Sequence, residues 1–222
     1  MDFVWQFVDM FLHLDKQLPL MVTKYGVWIY LILFLVIFCE TGLVVTPFLP
    51  GDSLLFMCGV LTTTLGGEPA SLDIYRVLGL LMAAAIMGDT TNYWIGRKVG
   101  PKIFHKENVR FLNKQHLQRA HAFYERHGAI TVSIARFAPI LRTFAPFVAG
   151  IGSMKYTRFL MFSVAGTIAW ISVFVLGGHF FADNPFVKNN FTVVIMAIVM
   201  ISLMPAIITY IKARLEKPKQ AA

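Results

Sequence analysis

Long apolar runs fill most of this chain, and the way they end divides them into two kinds. Residues 74–95, 159–181 and 191–211 are apolar over lengths that cross a bilayer outright. Two others are cut short. From Val27 to Cys39 there are thirteen uninterrupted apolar residues, a helix of about 20 Å at 1.5 Å per residue, short of the ~30 Å hydrocarbon core. Glu40 arrives before the crossing is complete, and Gly42, Pro47, Pro50 and Gly51 then stop a regular helix. The second interrupted run is broken over 136–142 by Arg136, Pro139 and Arg142, with Pro146 and Gly150 following. Two short legs about a break predict a re-entrant hairpin in each case, over 25–65 and 128–154. Non-helical backbone at membrane depth survives only when buried in protein or lining a wet cavity, so the hairpins should face one another.

The breaks resemble each other. Pro-Phe-[Leu/Val]-x-Gly occurs at 47–51 and again at 146–150, and an aromatic-Gly pair stands at each entry, Tyr25-Gly26 and His127-Gly128. One break carries two acids and the other two arginines. Paired broken segments in corresponding halves point to a transporter's midplane site, and intramembrane charges are functional candidates by default.

Charge sets the orientation. Between Arg97 and Arg126 eight Lys/Arg stand against Glu107 and Glu125, which makes 97–127 a cytoplasmic amphipathic segment by the positive-inside rule. The second hairpin then enters from the cytoplasm, 159–181 crosses outward, 191–211 returns, and the tail 212–222 is cytoplasmic. Gly66-Gly67-Glu68-Pro69 falls outside, so the first hairpin enters from the opposite face, as inverted repeats do. Residues 1–24 hold Asp9, His13, Asp15 and Lys16, favouring an interfacial amphipathic helix over a span. The expected fold is a single all-α membrane domain: an inverted repeat of two opposed hairpins, about three full spans and interfacial helices.

Composition agrees: of 222 residues, 57% are hydrophobic and 14% charged, with a net charge of +8. No cleavable signal peptide is expected. The bases suit an anionic membrane surface rather than nucleic acid, since no nucleic-acid-binding fold is discernible. Cys39 and Cys58 lack metal-ligand spacing, so no metal site and no cofactor is expected.

Arg136 and Arg142 flank Pro139, where a break lets both converge. A guanidinium pair suits a phosphate bidentately and cannot shed its charge; the bland alternative is that the arginines neutralise Glu40 and Asp52 when the hairpins dock. Glu40 and Asp52 are candidates for proton coupling, against helix capping or hairpin closure, and Asp52 after Pro-Gly is a common N-cap pattern. Asp89 and Arg97 are read as structural groups flanking a Tyr93–Gly96 turn at a helix end. His179 is read as interfacial, with a proton relay as the alternative. A proton-driven cation antiporter would use the acids but leaves the arginines without a reason. A lipid phosphatase would want the arginines and also a nucleophile, and only Ser133 and Thr143 are nearby hydroxyls. The chain is expected not to be an enzyme.

Phe-Cys-Glu-Thr-Gly-Leu-Val-Val-Thr-Pro-Phe-Leu-Pro-Gly-Asp-Ser (38–53), Gly88-Asp89 followed by Tyr93, Gly96-Arg97 and Gly100, and Arg136-Phe137 through Arg142-Thr143-Phe144-Ala145-Pro146 with Gly150 closely resemble the bacterial DedA family. The resemblance extends over nearly the whole chain. It implies a multi-pass inner-membrane lipid transporter, driven by the proton motive force, that handles undecaprenyl phosphate or phosphatidylethanolamine. It also implies that Glu40, Asp52, Arg136 and Arg142 are the functional charges. Partners would be membrane lipids through a phosphate head group, and protons; a homo-oligomer is compatible with the sequence.

Overall fold

The computed structural model describes residues 21–43, 51–63, 71–104, 129–152, 154–190, 193–198, 200 and 204. Those residues are helical, with no strand among them. The helices are α1 (Trp28–Gly42), α2 (Gly51–Val60), α3 (Ile74–Phe104), α4 (Ile130–Ala135), α5 (Pro139–Ile151), α6 (Tyr156–Phe181) and the short α7 (Pro185–Asn189). Two of them meet the length and hydropathy needed to span a bilayer, over Ile74–Gly100 and Tyr156–Phe181.

Local chemistry explains several boundaries. Gly26 takes a φ of 52°, open to glycine at little cost, and turns the chain into α1. Asp73 caps α3 by accepting the Arg76 N–H at 2.8 Å, and Asn184 caps α7 by accepting the Phe186 N–H at 2.9 Å. The α4–α5 break is confined to 136–138. Ala138 is extended (φ −121°, ψ 113°), and Pro139 starts α5 at a position where its missing N–H costs nothing.

Several expectations are corrected by these boundaries. The second break ends at Pro139, so Arg142 lies in the first turn of α5 rather than in the break. Pro146 and Gly150 do not break the hairpin; both lie inside α5, where Pro146 only withdraws the usual donor from the Arg142 carbonyl. No turn exists at Tyr93–Gly96, because α3 continues unbroken past residue 95 and through Arg97 to Phe104. Gly42 ends α1 and Gly51 begins α2. Pro47, Pro50, the loop at 66–69, most of 1–24 and of 191–211, residues 105–127 and the tail lie outside the described residues.

The packing is reciprocal. In each broken pair one leg rests on the long helix that follows it, α1 on α3 and α4 on α6, while the other crosses to the opposite half, α2 on α6 and α5 on α3. Glycines make the crossings close. A Cβ on Gly59 would overlap the Val175 carbonyl oxygen and one on Gly178 that of Phe56; a Cβ on Gly150 would overlap the carbonyl of Tyr93 and one on Gly96 that of Phe147. In both seams the glycine stands three residues after the carbonyl that meets the facing glycine. Gly150 therefore corresponds to Gly59, not to the Gly51 suggested by the Pro-Phe repeat.

The interior is apolar around Ile29, Leu33, Leu55, Leu81, Ile171 and Val175. The outer face is apolar as well: Leu31, Met87, Met161, Ile168, Val173 and Phe180 are exposed. An apolar surround of that extent is what a lipid-facing surface requires.

Gly150→Ala and Gly178→Ala should each destabilise the detergent-purified protein by about 1–3 kcal/mol, the usual cost of overpacking. Gly79→Ala and Gly177→Ala, where a Cβ meets nothing within 4 Å, should leave the unfolding temperature unchanged or slightly raised. Equal behaviour of the two pairs in a thermal unfolding assay would show that the seams are not tight.

Candidate functional site

Five charged side chains are buried among the described residues: Glu40, Asp52, Asp89, Arg136 and Arg142. They come from separate elements and meet beside one tryptophan. Glu40 is in the last turn of α1 and Asp52 in the first turn of α2. Arg142 joins them, its Nη1 donating to Asp52 Oδ1 at 2.8 Å and its Nη2 donating to Glu40 Oε1.

Helix ends explain the placement of these charges. The C-terminus of α1 disfavours the Glu40 carboxylate and the N-terminus of α5 disfavours the Arg142 guanidinium, each by a fraction of a kcal/mol or more. Pairing the two offsets both penalties. Glu40 Oε1 also accepts the Gly51 N–H at 3.2 Å, so it satisfies the orphan donor that opens α2. A Cβ at Gly51 would run into that carboxylate, so a larger residue there would displace Glu40 from its present position.

Arg136 follows α4 directly and pairs elsewhere. Its Nη2 donates to Asp89 Oδ2 and, at 3.2 Å, to the Ser163 hydroxyl, which donates in turn to Asp89 Oδ2 at 2.5 Å. Asp89 thus belongs to the buried cluster, a correction to its reading as a helix-end group, and the cause is the continuation of α3 beyond it. Both guanidiniums lie over the Trp170 ring, Arg142 at 4.6 Å and Arg136 at 5.9 Å from its centroid. The indole N–H donates to Asp52 Oδ1 at 2.9 Å, so Trp170 orients an acid and two cations together.

Asn92, one turn beyond Asp89, donates to the Thr41 carbonyl at 3.1 Å and the Thr143 carbonyl at 2.8 Å, tying the end of α1 to α5. Ser133 donates to the Phe162 carbonyl at 2.5 Å and serves the α4–α6 contact instead of the arginines. Tyr93 stacks on Phe159 at 4.6 Å, donates to the Met154 carbonyl and accepts from Arg97 at 2.9 Å; these two residues form a separate aromatic anchor. His179 Nδ1 lies 2.7 Å from the Thr62 hydroxyl, which itself donates to the Gly59 carbonyl, so the ring nitrogen is the donor.

The cluster is not saturated. Arg136 Nε and Nη1, Arg142 Nε, Glu40 Oε2, Asp89 Oδ1 and Asn92 Oδ1 are buried without a hydrogen-bond partner. Three donors on two cations, left open in a buried site, are suited to an anion with several oxygens.

Sequence reading missed Trp170, Ser163 and Asn92. A tryptophan or serine inside an apolar helical run has no periodic signature, although Trp170, Thr167 and Ser163 recur at roughly helical spacing along one buried stripe of α6.

Trp170→Phe keeps the ring but deletes the indole donor to Asp52, and should cost about 1.5–3 kcal/mol, the range for a hydrogen bond to a charged group. Thermal unfolding of the purified variant checks this. An unchanged midpoint would show that Asp52 does not depend on Trp170.

Comparison with known proteins identifies the family. The model of the VTT domain matches residues 49–180, more than half of the chain. Protein DedA of Escherichia coli K12 is 46% identical over 212 residues, covering 96% of this chain and 95% of that protein. An uncharacterized membrane protein of Mycobacterium tuberculosis is 44% identical over 176 residues (79% and 75%), and inner membrane protein YghB of Escherichia coli K12 is 33% identical over 162 residues (73% and 72%). No solved structure matches. With so much of its length shared, this chain belongs to the DedA family of multi-pass bacterial inner-membrane proteins and carries its VTT domain.

Proposed function

We propose that this protein is a proton-coupled transporter that moves a phosphate-bearing lipid across the inner membrane. The observation that carries the reading is the set of unpartnered buried donors, Nε and Nη1 of Arg136 and Nε of Arg142. A structural ion-pair network closes its own hydrogen bonds, because an unmet buried charged donor is expensive. Here the open donors converge beside Trp170 and match the several oxygens of a phosphate. The acyl chains would remain in the bilayer while the head group enters between the broken helices. Undecaprenyl phosphate and phosphatidylethanolamine are the lipid classes to test first.

Proton coupling follows from competition. Arg142 is shared between Glu40 and Asp52; a phosphate that draws Arg142 away leaves a carboxylate without its cation in a low dielectric, where the neutral form is favoured. The two crossings, α2 on α6 and α5 on α3, are read as the halves of an inverted repeat whose hairpins enter from opposite faces. The protein is read as a carrier rather than an enzyme, with Ser163 engaged by Asp89.

Phosphate-bearing lipid at a hundredfold over its Kd should stabilise the purified protein by about 2.7 kcal/mol, as any ligand of the native state must. The diacylglycerol lacking the phosphate should not. Arg136→Lys and Arg142→Lys, which keep the charge and lose the planar fork, should each lose most of this protection and of the transport measured in proteoliposomes. Equal protection by both lipids would reduce the effect to acyl contact and remove the proposal.

The orientation is checked by labelling. With Cys39 and Cys58 replaced, a membrane-impermeant thiol reagent applied to intact cells should modify a cysteine placed at Ala70 and spare one at Gln115. The reverse pattern would invert the topology.

A further inference from the structure

The buried cluster holds three carboxylates against two guanidiniums, one negative charge in excess when every group is ionised. No other charged residue is buried among the described residues. In a low dielectric an unbalanced charge is costly enough that the group takes or loses a proton instead. A neutral resting site therefore holds one proton. A phosphodiester monoanion entering it restores the excess, and neutrality then requires a second.

The hydrogen bonds indicate where these protons reside. Asp52 Oδ1 already accepts two donors, Arg142 Nη1–H and Trp170 Nε1–H, so a proton placed there would displace an existing bond. Glu40 and Asp89 differ from it. Each uses one oxygen for its arginine and leaves the other buried and unpartnered, Oε2 of Glu40 and Oδ1 of Asp89. A proton on either oxygen disturbs no existing bond and turns an orphan acceptor into a donor that an arriving phosphate oxygen can use. Asp89, on α3, faces Arg136 from the α4–α5 break and Arg142 from α5, while α6 contributes the neutral Ser163. Arg142 lies within electrostatic reach of Asp89 as well as of Glu40.

We propose that Asp89 is a second proton-coupling residue beside Glu40, the two together holding one proton in the empty site and two when a phosphodiester monoanion is bound, so that lipid and proton bind as a neutral set. The second proton comes from water on the side from which the lipid enters and returns to water when the lipid leaves. Arg136 keeps its place between the two partners: its free Nε and Nη1 receive the phosphate while Nη2 stays with Asp89 and Ser163. The inference rests on the phosphate-lipid reading above.

Calorimetric titration of the purified full-length protein with dihexanoyl-phosphatidylglycerol, repeated in two buffers of different ionisation heat, counts the protons taken up on binding. Wild type should take up about one per lipid, and so should Glu40→Gln, through Asp89, and Asp89→Asn, through Glu40. The double variant should bind with no uptake and no loss of affinity as pH rises. Loss of uptake in Glu40→Gln alone would remove Asp89 from the role, and that single variant decides the matter if the double variant does not fold. Uptake persisting in the double variant would transfer the role to Asp52 and likewise overturn the proposal. Lipid binding without proton uptake in wild type would sink this inference and leave the lipid reading standing; no binding at any pH would remove both.

Discussion

Arg142 is the group on which the arrangement depends. It reaches one carboxylate from the end of α1 and another from the start of α2, so a single guanidinium fixes the relation of both legs of the first broken pair to α5. The contact works because each participant has a defect to cure. Glu40 sits at the wrong end of its helix, Arg142 at the wrong end of its own, and the first N–H of α2 lacks a partner until Glu40 accepts it. Removing one partner from a buried pair of this kind costs several kcal/mol, because the others are left charged and dry.

A buried network that satisfied every donor would be a fastening and nothing more. On the transport reading proposed above, the open nitrogens of Arg136 and Arg142 and the open oxygens of Glu40 and Asp89 make this one a fastening that can be exchanged. Trp170 supports the exchange from below, since a ring face attracts a guanidinium without using any of its N–H groups. The cations can thus be held in place while their hydrogen bonds change hands.

Much of this was legible in the chain, for reasons of length. An acid that follows thirteen apolar residues cannot reach water across a bilayer, and an arginine on either side of a proline inside another run faces the same constraint; Glu40, Arg136 and Arg142 stand out on those grounds alone, whereas Asp52 after Pro50-Gly51 also fits an ordinary N-cap. Asp89 did not, because Tyr93–Gly96 reads as a turn at the end of its helix, although Gly88, Gly96 and Gly100 all lie within that helix. Their role is close approach: Gly88 meets Thr41 and Gly42, and Gly100 meets Ile151. Which arginine takes which acid depends on groups far apart in sequence. The crossings had a local trace that went unread, an aromatic residue three before the glycine in Phe56-x-x-Gly59, Tyr93-x-x-Gly96 and Phe147-x-x-Gly150.

Those glycine seams also interlock the two halves. With backbone touching backbone, α2 is held to α6 and α5 to α3, so each long helix carries a leg of the other half. The short interruption at 136–138, where the chain passes from α4 on α6 to α5 on α3, carries Arg136 itself. The charge proposed to meet a ligand thus stands where the chain crosses from one long helix to the other.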